Sequence, residues 1–255
     1  MKLKTSKLVH PAALLLMVLA VPGCGMKGCS NDNSSGLTAT DLPEPTLGEA
    51  VVRGTIKLDG EAPTLEPVHE PDSQCPHPVP NETVVVGEDG GLQNVVVYLD
   101  GVPASTGKSQ PAAQLKQIDC QFVPHVLAVQ VGQPLEISNS DAMTHNVHYT
   151  TGRNGSANHS FDGSDRRTTV SFARAEPEPF RVRCDLHTWM GAYVGVFEHP
   201  HFAVTDAAGG FEIANVPAGE YTLKSWHELY GDREQAVTVA EGGEVAVDLV
   251  YSKDG

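Results

Sequence analysis

Cys184-Asp185-Leu186-His187-Thr188-Trp189-Met190 is the stretch on which the reading of this chain turns. It places a thiol, an imidazole and a thioether within seven residues. The run before it, Phe180-Arg181-Val182-Arg183-Cys184, alternates with period two. Phe180, Val182 and Cys184 therefore share one face of a strand, and the arginines take the other. Tyr193 to Phe197 reads as the next strand, so the seven residues form a loop that aims three donors at one point. Sulfur favours Cu(I), imidazole suits both oxidation states of copper, and a weak thioether leaves a geometry ideal for neither. Taken singly, Cys184 reads as a buried core thiol and Met190 as packing. Zinc accepts a similar sulfur and nitrogen set but prefers a stronger fourth ligand than a thioether. A binuclear copper site requires a second cysteine in this loop, and the loop has one.

A second imidazole must come from elsewhere in the chain. Upstream, Leu135-Glu136-Ile137-Ser138-Asn139 alternates as a strand after the turn Gly132-Gln133-Pro134. It is followed by Ser140-Asp141-Ala142-Met143-Thr144-His145-Asn146-Val147-His148. His145 and His148 cannot easily both point inward; His145 opens the strand after the loop and is taken as the ligand. Further strands are expected at Val126 to Val131 and Thr168 to Phe172.

Through these two segments, Phe122 to Glu198 resembles the small blue-copper cupredoxins of the amicyanin type. The whole chain is similar to bacterial proteins described as plastocyanin-like or methylamine-utilisation-like. The resemblance rests on the spacing of Cys184, His187 and Met190 and on the stretch Ala142 to His148. It implies a Greek-key β-sandwich holding one type 1 copper ion on His145, Cys184 and His187, with Met190 axial. It also implies that Asn146 locks the two ligand loops together. The function implied is one-electron transport rather than catalysis, with His187 as the exit inside an apolar rim. The partner implied is a redox protein such as a c-type cytochrome or a dehydrogenase. Copper carriage or storage, or a surface module with no redox role, are the alternatives. Two positions depart from the family. Leu186 stands where proline is common and restores a backbone N–H that can reach the thiolate; such a bond raises the potential. Trp189 replaces a phenylalanine.

The rest of the chain sets the context. Lys2, Lys4 and Lys7 precede an apolar run, Ala12 to Val21, too short to span a bilayer. Val21-Pro22-Gly23-Cys24 resembles a bacterial lipobox, which predicts a signal peptide over 1–23 and lipid attachment at Cys24. Gly25 after that cysteine favours the outer membrane over inner-membrane retention. Residues 24–47 read as a flexible tether. The net charge is −15 over 255 residues, and loss of the three signal lysines takes it to about −18. Nucleic acid is excluded as a partner on that charge, whereas a basic redox partner would be attracted. No nucleophile elbow, phosphate loop or zinc-protease helix is present, and no further His cluster marks a second copper centre.

Beyond Cys24 and Cys29 there are three cysteines. Cys75 and Cys120 are expected to pair in an oxidising compartment, which leaves Cys184 as a thiol. The alternative, a second metal site from Cys75, His77, Cys120 and His125, matches no familiar spacing.

The fold expected is all-β, as two packed units. A strand at Ala50 to Leu58 and a Pro-rich stretch, Ala62 to Pro80, fall within 48–82. The copper unit is expected over 83–198, recruiting strands at Thr83 to Val86 and Asn94 to Leu99 across an Asp-Gly-Gly turn. The tail, 199–252, has five strand signals: Phe202 to Thr205, Gly210 to Ile213, Glu220 to Trp226, Gln235 to Val239 and Val245 to Tyr251. It resembles carboxypeptidase regulatory-like β modules through Gly210 to Ile213 and Val216 to Leu223.

Overall fold

A computed structural model describes residues 38–252. The signal segment, Cys24, Cys29 and the tether up to residue 37 lie outside the described residues.

The chain is all-β. Its strands are β1 (Ala50–Asp59), β2 (Val96–Asp100), β3 (Ala113–Ile118), β4 (Gln121–Val123), β5 (Val126–Gln130) and β6 (Leu135–Asn139). They continue as β7 (His145–Thr150), β8 (Ser156–Phe161), β9 (Arg166–Val170), β10 (Phe180–Arg183), β11 (Gly191–Phe197) and β12 (Phe202–Val204). The last are β13 (Gly210–Val216), β14 (Gly219–His227), β15 (Gly231–Val239), β16 (Glu244–Ala246) and β17 (Leu249–Ser252).

Four sheets pair into two sandwiches. The first sets β5-β11-β10-β7-β8 against β4-β3-β6-β9. Its inner faces follow the alternation of the sequence: β6 buries Leu135, Ile137 and Asn139 and turns Glu136 and Ser138 outward. Leu115, Phe122, Ile137, Val147, Val182, Cys184, Met190 and Val194 share this core. Each large apolar side chain fully withdrawn from water contributes about 1.5–3 kcal/mol before ordering costs. Cys184 and Met190 thus lie in a dry interior rather than on a wet loop.

The second sandwich sets β1, with β13, β16 and β17 beside it, against β12-β2-β14-β15. Its core holds Val52, Ile56, Leu99, Ile213, Leu223, Val237 and Tyr251. Gly209 illustrates the local cost of this packing. Its φ is +74°, and a Cβ there would meet the Ile56 carbonyl oxygen at 2.2 Å, so the turn between β12 and β13 requires glycine.

Two expectations are corrected. The segment from residue 83 does not build onto the first sandwich. Thr83 to Val86 forms only an isolated bridge, Val86 to Leu92, and β2 pairs with β12 and β14 of the second sandwich. A Val-rich apolar run shows that β2 is a strand but not which sheet it joins; Val97 and Leu99 complete the second core. β1 likewise joins the second sandwich, through Val52 opposite Ile213 and Leu58 beside Tyr251. The last part of the expected tether, residues 38–47, lies against the first sandwich: Ala39 and Leu42 are buried in its core, and the Ala39 N–H donates to the Ala173 carbonyl at 2.9 Å.

The Pro-rich stretch has an unforeseen position. Val68 donates to Val79, and Val79 to His69, closing residues 68–79 into a loop. A disulfide between Cys75 and Cys120 ties this loop to the turn between β3 and β4. Cys75, Val79 and Cys120 form a small core with Met143 and Trp189 packed on it. The loop therefore caps the end of the first sandwich where the Cys184–Met190 segment lies.

Candidate metal centre

β7 begins at His145, and β10 ends at Arg183, one residue before Cys184. The two strands are antiparallel neighbours, with Val182 opposite Tyr149. That register brings the start of one strand to the end of the other, so residues 39 apart in sequence meet. The Met190 N–H donates to the His187 carbonyl at 2.9 Å, closing the loop between β10 and β11 into a tight turn.

The result is one buried cluster. The ligand atoms of His145, Cys184 and His187 lie within 4.8 Å of one another. The two Nδ1 atoms face each other at 2.9 Å, and the Cys184 Sγ is 3.8 Å from the His187 Nδ1. Met190 is buried in the adjoining core. His148, three residues after His145, is on the outer face beside Asp185.

Asp141 sets the chemistry of His145. Its carboxylate accepts from the His145 Nε2 at 2.8 Å. With Nε2 carrying the hydrogen, Nδ1 presents a lone pair to the cluster. The same carboxylate accepts the backbone N–H groups of Asp119 and Cys120 at 2.8 and 3.0 Å. Both of those residues have positive φ, 52° and 61°, so Asp141 also holds the turn that carries the disulfide. Sequence reading passed over Asp141. The available signal was a carboxylate four residues before a ligand histidine, since metal-bound imidazoles usually donate their second N–H to such a group.

Burial opposes charge on all three groups, but the neighbours divide them. Desolvation would push the Cys184 thiol up. The His145 side chain and the backbone N–H groups of Asn146, His187 and Leu186 outweigh it and pull the thiol below its ordinary value. Burial would lower His145, yet Cys184 and Asp141 raise it. His187 is lowered, first by burial and then by the charge of His145.

Asn146 ties the two segments together. Its Oδ1 accepts the Asp185 N–H at 2.7 Å, and its own N–H points at the Cys184 sulfur at 3.5 Å. Its Nδ2 donates to Asn158 and Asp185 at 2.7 and 2.9 Å. Arg183 beside Asp185 holds that carboxyl down at about 2, helped by His148 and Asn146. The negative charge next to the thiolate is thus matched locally. Leu186 is 59% exposed, and its backbone, not its side chain, serves the sulfur.

The donor set fits a soft ion. Two Nδ1 lone pairs at 2.9 Å repel unless a proton or a cation lies between them. That gap is below twice a metal–imidazole bond of about 2.0–2.1 Å, so one ion can touch both nitrogens. One thiol and two imidazoles, with Met190 buried in the same core, match copper better than magnesium or calcium, which take oxygen donors.

The loop that carries His187 reaches the surface at Leu186, but the imidazole does not, and the expectation of an exposed His187 edge is corrected. His187 is 6% exposed. Trp189 stands edge-on to it with ring centroids 5.2 Å apart, and the Trp189 Nε1 donates to the Cys120 carbonyl at 3.1 Å. Trp189, with the cap packed on it, lies against the ring that was expected to be open. The second site considered, Cys75, His77, Cys120 and His125, is not assembled: the cysteines are bonded to each other and His125 pairs with Glu228.

No protein-family profile matches the chain, and no curated protein matches it. Among solved structures, it is similar to a reduced amicyanin mutant at 23% identity over 35% of this chain and 88% of that one, with a TM-score of 0.30. It is similar to a purple cupredoxin from Nitrosopumilus maritimus at 20% identity, covering 33% and 98%, with a TM-score of 0.28. A copper-containing nitrite reductase from Thermus scotoductus SA-01 aligns at 19% identity over 34% of this chain and 23% of its own, with a TM-score of 0.29.

Proposed function

We propose that this chain would hold one copper ion on His145, Cys184 and His187, with the Met190 thioether as a weak further donor, and carry single electrons without catalysing a reaction. The observation that carries the reading is the buried convergence of one thiol sulfur and two Nδ1 atoms within 4.8 Å, from two separate segments. Copper bound there would supply a one-electron Cu(I)/Cu(II) couple. The chain's own residues would do the rest. Asp141 fixes the tautomer of His145, Asn146 locks the ligand segments, and backbone N–H groups stabilise the thiolate. The apolar core around Cys184 and Met190 excludes water. A site held this firmly changes little between oxidation states, which favours transfer over capture.

The amino-terminal pattern supports a lipid anchor at Cys24 in a bacterial envelope, with the β units on the periplasmic face or at the outer membrane. The net charge of −15 supports a basic redox protein as partner.

The test is addition of Cu(II) to the purified metal-free protein. An intense absorption near about 600 nm, from thiolate-to-copper charge transfer, is expected to saturate at one equivalent. Reversible voltammetry of the loaded protein separates transfer from storage: a protein that binds Cu(I) tightly but gives no reversible wave is a store.

A further inference from the structure

The route by which an electron would leave the candidate centre is decided by what covers His187. Its imidazole is buried, and the exposed neighbour Leu186 offers no π system. Trp189 contacts His187 on one side. On the other it stacks on His69 of the cap, with ring centroids 3.8 Å apart and planes within 10°. Three aromatic rings thus run outward in series, His187 to Trp189 to His69. The order is fixed at both ends. The indole is pinned by its bond to the Cys120 carbonyl, and the cap is pinned to Cys120 by the disulfide. The His69 side chain is 13% exposed and stands 3.6 Å from the Asp72 carboxylate. Val68 beside it is 40% exposed.

We propose that electrons leave through the stacked pair Trp189 and His69, across the disulfide-tied cap, and not at the imidazole edge of His187. This rests on the copper reading. The step moves one electron: the bound Cu(I) is oxidised to Cu(II) and one equivalent of a one-electron acceptor is reduced. No bond breaks and no proton moves. The cap also selects the acceptor. Residues 61–82 carry Glu61, Glu66, Glu70, Asp72 and Glu82 and contain no lysine or arginine. Glu66, Glu70 and Asp72 are exposed around His69. An acceptor that presents positive charge is drawn to this end of the molecule, and an anionic one is repelled.

The experiment compares His69→Leu and the double variant Glu66→Gln/Glu70→Gln with the parent chain. Each copper-loaded protein is reduced, then oxidised by tris(phenanthroline)cobalt(III) or by ferricyanide, with the visible band followed in a stopped-flow instrument. His69→Leu is expected to slow the cobalt reaction by roughly an order of magnitude with the band and the reduction potential unchanged. The charge variant is expected to slow the cationic oxidant several-fold at low ionic strength and to speed ferricyanide. In the copper-free protein, the ring-proton resonances of His69 are expected upfield, under the indole ring current, and this displacement is lost in Trp189→Leu. Unchanged rates in His69→Leu, with the full band present, overturn the route while leaving the copper reading intact. Unshifted His69 resonances in the parent overturn the stack itself. A parent chain that forms no band overturns the copper reading and the route with it.

Discussion

Both sandwiches bury histidines, and they do so in opposite ways. In the first, His145 and His187 turn their Nδ1 atoms towards each other and towards Cys184, and Asp141 holds the far side of His145. In the second, His227 packs against Tyr230 and Tyr251, and His199 stacks on His201 beside Phe197, with no carboxylate or thiol among the described residues hydrogen-bonded to either ring. Burial pushes each of these down to about 4, so both are neutral. The Nδ1 of His227 accepts the backbone N–H groups of Leu229 and Tyr230, and its Nε2 has no hydrogen-bond partner. Burial alone therefore does not mark a ligand. What separates the two regions is convergence: in one, a thiol and two imidazoles bring their donor atoms within 4.8 Å and a carboxylate fixes a tautomer; in the other, the rings pack face to face without gathering three donors.

The largest effect is expected from Cys184→Ser. It removes the soft donor while preserving shape. The band near about 600 nm is expected to vanish completely, with far-ultraviolet circular dichroism unchanged. Retention of the colour would show that the sulfur is not a ligand.

The next effect belongs to the second sandwich. His199 and His227 have folded values near 4 against an ordinary value of about 6.5. Between those limits the unfolded chain takes up protons that the folded chain refuses. Stability is therefore full above about pH 6.5 and is lost as the pH falls towards 4, by on the order of 3 kcal/mol per histidine. Denaturation midpoints of the metal-free protein at pH 7 and pH 4.5 measure this. In the same window, the circular dichroism loss is expected to track the titration of these two rings followed by NMR.

Sequence reading caught the convergent region because its donors are locally dense. Cys184, His187 and Met190 fall within seven residues, and the structure brings His145 to the first two. The odd count of cysteines also pointed to Cys75 with Cys120, which are bonded. Other features were not legible, each for a physical reason. The Val-rich run from Asn94 to Leu99 after an Asp-Gly-Gly turn announces a strand, but such a run fits either sandwich, and β2 went to the one not expected. The Pro-rich cap has no period at all. Its position against Trp189 comes from non-local contacts, the disulfide and the His69–Trp189 stack, to which local pattern is blind. Strands β3 and β8 were missed because polar residues such as Gln114, Lys116, Asn158 and Ser160 dilute their patterns.

A third prediction tests what makes the first region rigid. Asn146→Ala deletes the amide that accepts from the Asp185 N–H and donates to Asn158, leaving half-buried groups unpaired. A loss of about 1–3 kcal/mol is expected in chemical denaturation, with a broadened copper band. A variant as stable as the parent would show that the two ligand segments do not depend on this side chain.

The smallest effect isolates one hydrogen bond. Leu186→Pro removes the backbone N–H that reaches the Cys184 sulfur and leaves the ligands in place. A fall in reduction potential of roughly 20–60 mV is expected, the equivalent of one ordinary hydrogen bond. A rise would mean that this N–H does not serve the thiolate.

The most direct measurement is copper K-edge X-ray absorption on the protein loaded with one equivalent. The expected first shell is two imidazole nitrogens and one short sulfur contact, with that sulfur scatterer absent from Cys184→Ser. A shell of nitrogen and oxygen alone in the parent chain would contradict the account, because the ion would then lie somewhere other than between His145, Cys184 and His187.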